Sequence, residues 1–548
     1  MPRTFQQSSG SVNNAKTQEY YVYWQDQWRV RPSFTLTYGT GWQLDTPTEQ
    51  KFANGQLQMQ LCPGQKTTLF PTGVQDPVNG PFIGPPSGIC YPADPQVPPG
   101  TIPLRKHNFA PRLGIAWSPS VQSGFLRWLT GGPSNFSVRA GYGIYYNILI
   151  EETNLQFLLV PPFSLFSFLV NPNFANPFGA TNPFPFAIPK AGDTLDWFAL
   201  GFLPLNQQVL SRDFRTPYSQ NFNLTIERQF GADWLARIAY VGSRGNNLDT
   251  AEELLDEGVS PNGTPLPTFP GGRALLGAMD ASFRDPNIWQ SVGVQESVAQ
   301  SFYHSLQLSV DKRFSKNFSF LASYTFSKAI DDASNNGIEA IVLTPRNRTR
   351  DRAFSNFDAR HRFVLSYLFD VPAPNWNGFA GKVVKGWELT GITTFATGFP
   401  IELISDAECD PAVTTSFFGT WCRPDLTGPM SSFRRLGDPR NTPRNQYFDI
   451  SLFTEPADGS LGNAPRSFFH GPGINNWDIG IYKNTYIDET RYIQARLEFF
   501  NAFNHTQFCA VCPNGAAGVS GDVSSANFGR VVRANDARII QLALKFFF

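Results

Sequence analysis

The last thirteen residues, Asp536 to Phe548 (DARIIQLALKFFF), restrict the fold more than any other stretch. In an extended strand successive side chains point to opposite faces, so Ile540, Leu542, Leu544, Phe546 and Phe548 share one face, while Gln541, Ala543, Lys545 and Phe547 share the other. A strand buried on both sides does not carry Gln and Lys inward, and a surface strand in water does not expose five large apolar groups. One face therefore meets lipid and the other a wet interior, the pattern of a transmembrane barrel strand. The five apolar residues ending on Phe548 also resemble the terminal assembly signal of outer-membrane barrel proteins.

Composition agrees. Charged residues are 16% and aromatic residues 14%, with 50 Phe, yet the mean hydropathy is only -0.24. A helical membrane protein is more apolar than this, whereas a barrel turns only alternate residues to lipid. With 44 Lys and Arg against 44 Asp and Glu the formal net charge is zero, which excludes the basic signature of a nucleic-acid binder. The most apolar run, Leu155 to Val170, is broken by Pro161 and Pro162 and is too short for a spanning helix. The first residues lack the apolar core of a signal peptide.

Read with period two, the 548 residues contain roughly thirteen strand candidates of about ten residues each. They are Tyr20–Val30, Ser33–Leu44, Asn108–Trp117, Asn135–Tyr146, Tyr218–Phe230, Trp234–Ser243, Phe302–Phe314, Phe318–Ser327, Arg360–Asp370, Gly386–Gly398, Asn475–Tyr486, Arg491–Phe503 and the terminal strand. With Phe548 on the periplasmic side, turns near Arg31, Gly231, Ser315 and Asp488 are periplasmic. The long connections 45–107, 147–217, 244–301, 331–359, 399–473 and 504–536 then all lie outside. That asymmetry is typical of outer-membrane barrels. Residues 1–19 are expected to be a lead-in without structure. Aromatic residues such as Tyr20, Trp24, Trp28, Tyr145, Trp234 and Trp477 fall at strand ends, where interfacial girdles form.

The stretches FSVRAGYGIYYN, TPYSQNFNLTIERQF, YHSLQLSVDKRFSKNFSFLASYTFSKAIDDAS, FDARHRFVLSYLFDVP and RLEFFNAFNHTQF resemble the C-terminal barrel of Oar-like TonB-dependent receptors. The resemblance runs in order through nearly all the chain from Tyr20. It implies an all-β, antiparallel transmembrane β-barrel, here about thirteen strands of a 22-stranded barrel, with the plug absent. It also implies a bacterial outer membrane of the Gram-negative type, and energised uptake of a bulky nutrient, carbohydrate or another large ligand. Implied partners are outer-membrane lipid, the barrel-assembly machinery, an unknown ligand, and the TonB system through a plug encoded elsewhere. Two alternatives remain: a smaller passive pore, and a secreted β-sandwich that binds carbohydrate.

The loops hold the other candidates. Cys62 with Cys90, Cys409 with Cys422 and Cys509 with Cys512 each fall inside one outer loop, which favours disulfides in an oxidising compartment. The Phe and Pro segment Pro161 to Pro189 presents Phe163, Phe166, Phe168, Phe174, Phe178 and Phe184 on stiffened backbone, suited to stacking on a ligand or to packing on itself. Arg346, Arg348 and Arg350 could grip an anion or lipopolysaccharide phosphate, or pair with Asp331, Asp332 and Asp358. Asn223, Glu227, Asp311, Gln494, Arg496 and Glu498 are assigned to the lumen, as ligand contacts or as cross-wall hydrogen bonds. No hydrolase, zincin or nucleotide-loop motif occurs. No catalysis, metal site or cofactor is expected.

Overall fold

The computed structural model describes residues 15–46, 104–147, 166–180, 182–185, 205–211, 214–253, 289–334, 348–405, 422–457, 462–509 and 518–548, with short stretches at 4–8, 49–50, 59–62, 74–76, 80–82, 88–90 and 341–342. An 18-stranded sheet dominates. Five of its members are short: Met59–Cys62, Gly88–Cys90, Leu205–Ser211, Ile341–Val342 and Ala353–Phe354. The other thirteen are β1 (Glu19–Arg31), β2 (Phe34–Asp45), β3 (Asn108–Trp117), β4 (Phe136–Tyr146), β5 (Tyr218–Phe230), β6 (Trp234–Glu253), β7 (Trp289–Ser315), β8 (Phe318–Asp331), β9 (His361–Asp370), β10 (Trp387–Ala396), β11 (Ile474–Tyr486), β12 (Tyr492–Phe500) and β13 (Ile539–Phe547). Each pairs antiparallel with the next in the chain. No helix among the described residues is long and apolar enough to cross a membrane.

The register turns the period-two pattern into one continuous outer face. A single row of facing residues runs Ile540, Phe499, Ile479, Gly391, Tyr367, Phe320, Lys312 and Trp234 across seven strand pairs. A second joins Phe395, Phe363, Tyr324, Leu308, Ile238 and Ile226. Leu224, Ile238, Leu306, Leu308, Leu542 and Leu544 are all exposed, as a lipid-facing belt requires. The turn between β7 and β8 is a two-residue loop in which Lys316 and Asn317 both have positive φ (51° and 71°), the geometry that matches the twist of the paired strands.

Connections at this end are short, apart from two that carry small helices, α1 (Gly124–Thr130) and α2 (Gly378–Val384). Period-two reading misses both. Phe125 and Trp128 on α1 and Phe379 on α2 are well exposed, placed like interfacial anchors.

The structure departs from expectation in three further places. β6 and β7 continue to Glu253 and back from Trp289, so the two ends of the loop assigned to 244–301 are a strand pair rising past the belt, with a bulge between Gly245 and Leu248; residues 254–288 lie outside the described residues. Within residues 1–19, Thr4–Ser8 is a strand paired with Phe166–Val170, and Ala15–Lys16 pairs with Glu49–Gln50. The inner face also carries exposed Leu321 and Ile392, so it is not uniformly polar.

The sheet does not close. β1 is exposed along its whole length, Leu542 and Leu544 on β13 are 78% and 74% exposed, and no register pairs β13 with β1. An odd number of antiparallel strands also leaves β1 and β13 running the same way.

A vestibule at the long-connection end of the inner wall

Residues of 399–473 and 504–536, expected to be loops, build a compact module at the long-connection end. Its core is Ile401, Leu403, Tyr447, Phe448, Leu452, Phe453, Ala464, Phe469, Val519, Phe528 and Val531. Aromatic rings dominate: Phe448 meets Phe469, Phe528, Phe433 and Phe453 at centroid separations of 5.0 to 5.8 Å. Edge-on and tilted pairs of this kind add to the burial of their area.

Buried ion pairs fasten the module to the end of β8 and to the segment after it. Arg466 pairs with Asp331 and donates to Ser334 Oγ at 2.7 Å, while Arg423 pairs with Asp351. Asp358, fully buried at its side chain, accepts from His470 Nε2 at 2.8 Å, the Ala329 N–H at 2.6 Å and Arg360 at 3.3 Å. Burial pushes its pKa up, but these hydrogen bonds and the Arg360 charge outweigh burial and hold it below the usual carboxylate value. The stabilisation is complete above the ordinary carboxylate range and is lost as pH falls through that range and below. The urea midpoint of the module should therefore drop between about pH 5 and about pH 3, and Asp358→Asn should flatten that dependence. An unchanged acid limb in the variant would show that other carboxylates set it.

Between the module and the inner wall lies a cavity of about 1300 Å³, larger than the usual pocket of roughly 300–1,000 Å³. β9 and β10 supply Arg362 and Thr394; the module supplies Glu402, Phe508, Asn527, Arg533 and Asn535; Asn356 and Phe357 come from the segment before β9. Asn356 Nδ2 donates to Glu402 Oε2 at 3.0 Å. The Oδ1 atoms of Asn356 and Asn535, two residues of the lining, are buried and lack protein donors. Two guanidiniums, a carboxylate, amides and aromatic rings suit a large polar ligand.

Below it the inner wall continues as a trough of about 550 Å³ lined by Asp311, Arg313, Ser319, Tyr482 and Glu498 among others. The six residues assigned to the lumen lie on this inner face, and Glu227, Gln494, Arg496 and Glu498 are tied to neighbours. Glu227 bonds Arg237 at 2.6 Å and Ser137 at 3.2 Å. Gln494 donates to Asn484 at 2.8 Å and accepts from Arg496 at 2.5 Å. Glu498 accepts from Tyr482 at 2.7 Å. Asn223 faces Gly141 across the β4–β5 pair.

The loop candidates are scattered. Phe178 packs on Phe5 and on Phe184, at 5.5 and 5.6 Å, and Phe174 is exposed. Arg350 donates to the Gly462 carbonyl. The acids considered as its partners have others: Arg466 for Asp331, and His470 and Arg360 for Asp358. Phe163 and Arg346 lie outside the described residues, as do the side chains of Phe166, Phe168 and Arg348. Cys422 and Cys509 are disulfide-bonded; Cys409, Cys512 and the side chains of Cys62 and Cys90 lie outside the described residues. Among the described residues no group of three or more His, Cys, Asp or Glu is placed to hold a metal ion. Sequence reading missed Arg362, Arg533, Asn356 and Asn535, whose only signal is proximity to strand ends.

The family pattern described as an outer membrane beta barrel domain matches residues 1–541. The chain belongs to that family. Its place is the outer membrane, and the sheet is the wall of an outer-membrane barrel. Similar solved structures include the FrpB iron transporter from Neisseria meningitidis (9% identity, TM-score 0.40, 98% of this chain and 46% of that one). The ferric-catecholate import receptor Fiu from Escherichia coli K12 is another (11%, 0.41, 98% and 46%), as is the transporter YddB from Escherichia coli (10%, 0.38, 98% and 64%). This outer-membrane barrel chain thus spans about half the length of the first two. No curated protein matches it. Likeness at these identities and TM-scores transfers no ligand or partner.

Proposed function

We propose that this chain is the C-terminal barrel part of a TonB-dependent receptor that takes a bulky polar nutrient across the outer membrane, with the vestibule as its capture site. The observation that carries the capture site is the cavity of about 1300 Å³ lined by Arg362, Arg533 and Glu402 at the long-connection end of the inner wall. The ordered sequence resemblance supports the receptor class. The open edges support a partial barrel: a sheet of thirteen becomes an even, fully antiparallel barrel only by adding an odd number of strands, roughly nine for a 22-stranded barrel. The lumen residues then line the conduit, the terminal apolar face with Phe548 serves barrel assembly, and TonB acts through a plug outside this chain.

Uptake of candidate nutrients by cells carrying the native gene decides the matter. Arg362→Ala with Arg533→Ala should lower binding by about a hundredfold or more, since charge-assisted contacts are each worth roughly 1.5–3 kcal/mol, and uptake should cease in cells without TonB. Unaltered uptake without TonB, or steady ion conductance from the purified protein, would make it a passive pore. Removal of Pro161 to Pro189 tests the aromatic segment separately: retained uptake with normal assembly would leave it a packing element.

A further inference from the structure

On the outer face, directly above the apolar belt, three strands bring together a group of cations that the uptake reading does not use. Arg244 on β6 faces Phe302 on β7, which faces Ile330 on β8, which faces Phe354. One step toward the membrane, His304 faces Lys328, and the next row is Tyr240, Leu306 and Phe326, all lipid-facing. Arg244 and Arg352 place their guanidiniums 5.0 and 4.8 Å from the centre of the Phe302 ring. Lys328 and Arg360 flank the Phe354 ring at 5.8 and 5.2 Å. Two aromatic pegs thus hold four cations apart, and three of them, Arg244, Lys328 and Arg352, are exposed.

The height of the group matters. Arg244, Phe302 and Lys328 lie ten positions along their strands from the girdle residues Trp234, Lys312 and Phe318, which adjoin the short turns. Ten residues span roughly 33 Å along a strand, or about 25 Å along the membrane normal at a tilt near 40°, the height of the apolar band. The cations therefore sit at the outer headgroup level. Only Arg360 has a carboxylate partner, Asp358; among the described residues Arg244, Lys328 and Arg352, all exposed, meet no carboxylate at salt-bridge distance. At the other girdle the outer-face lysines are used up by carbonyls: Lys312 donates to Arg313 and Ser315, and Lys483 to Lys385 and Asn484.

We propose that Arg244, Lys328 and Arg352 form a binding site for the phosphate groups of a phosphorylated lipid of the outer leaflet, whose acyl chains lie along Leu306, Phe326 and Tyr240. Charge complementarity and position select the ligand: unneutralised cations at the headgroup plane, continuous with an acyl-facing belt, fit a lipid-borne phosphate.

The test uses protein purified from the outer membrane, titrated with lipid A bearing two, one or no phosphates and followed by native mass spectrometry. Retention should fall with each phosphate removed, and a triple variant (Arg244→Gln, Lys328→Gln, Arg352→Gln) should lose about tenfold or more of the bisphosphorylated lipid. Equal retention of all three lipids would overturn the site. So would a triple variant, shown folded by its heat-modifiable mobility, that binds as the parent does. If that variant does not assemble, the phosphate series on the unaltered protein decides. Full displacement of the lipid by inorganic phosphate at equal concentration would place the specificity in free phosphate, against the proposal.

Discussion

Phe448→Ala should detach the outer module from the barrel without preventing barrel assembly. Phe448 is 0% exposed, and its ring is shared among Phe433, Phe453, Phe469 and Phe528. Truncating a buried Phe costs about 3–5 kcal/mol, from lost transfer energy and the cavity left behind. That is a large part of the roughly 5–15 kcal/mol that holds a typical domain together. The ion pairs of Arg466 with Asp331 and Arg423 with Asp351 cannot replace it, because buried pairs set geometry more than they add net stability. The strands are held together by their own backbone ladders and need no contact from this core. Hydrogen exchange across residues 422–457 and 518–531 should accelerate by two or more orders of magnitude, while β5 to β12 keep their protection. Full protection in both regions would mean that the core is not what holds the module.

The wall of the barrel was legible because one sequence pattern met two solvents. Along β5, β7 and β8 every second residue reports lipid and its neighbour reports water, so strand, face and turn could be placed from residues alone. The signal stops above the belt, where the buried positions are polar: Thr250, Gln295 and Ser297 are all buried. Their strands pair through backbone hydrogen bonds, which leave no mark on composition. The module was illegible for another reason. Phe433, Phe448, Phe469 and Phe528 come from two connections, have no common period and meet only after the strands have set their ends. The vestibule inherits that limit, since Arg362 is fixed by β9 while Asn535 and Arg533 arrive on the approach to β13. The cation group needs the register of β6 to β8 before three distant residues become one patch.

Leu308→Arg should abolish assembly in the outer membrane, whereas Ser323→Arg should not. Leu308 lies four residues from Lys312 at one girdle and six from Phe302 at the other, between Ile238 and Tyr324, so it sits near the middle of the apolar band. A cation there costs about 2–4 kcal/mol, and its side chain is too short to reach either headgroup plane. Ser323 pairs with Ser309 on the opposite, inner face, where an added guanidinium meets water and only mild repulsion from Arg237, itself bound to Glu227. A position such as Phe320 discriminates less well, because it pairs with Lys312 at the girdle, where a carboxylate would find a cation. The readout is the fraction of heat-modifiable protein in outer membranes, followed by the urea midpoint of whatever assembles in bilayers. Normal assembly of Leu308→Arg with failure of Ser323→Arg would reverse the two faces, and with them both the conduit and the lipid site. The proposed functions on the two sides of the wall therefore stand on one structural fact, that even-numbered residues of β7 and β8 point to lipid.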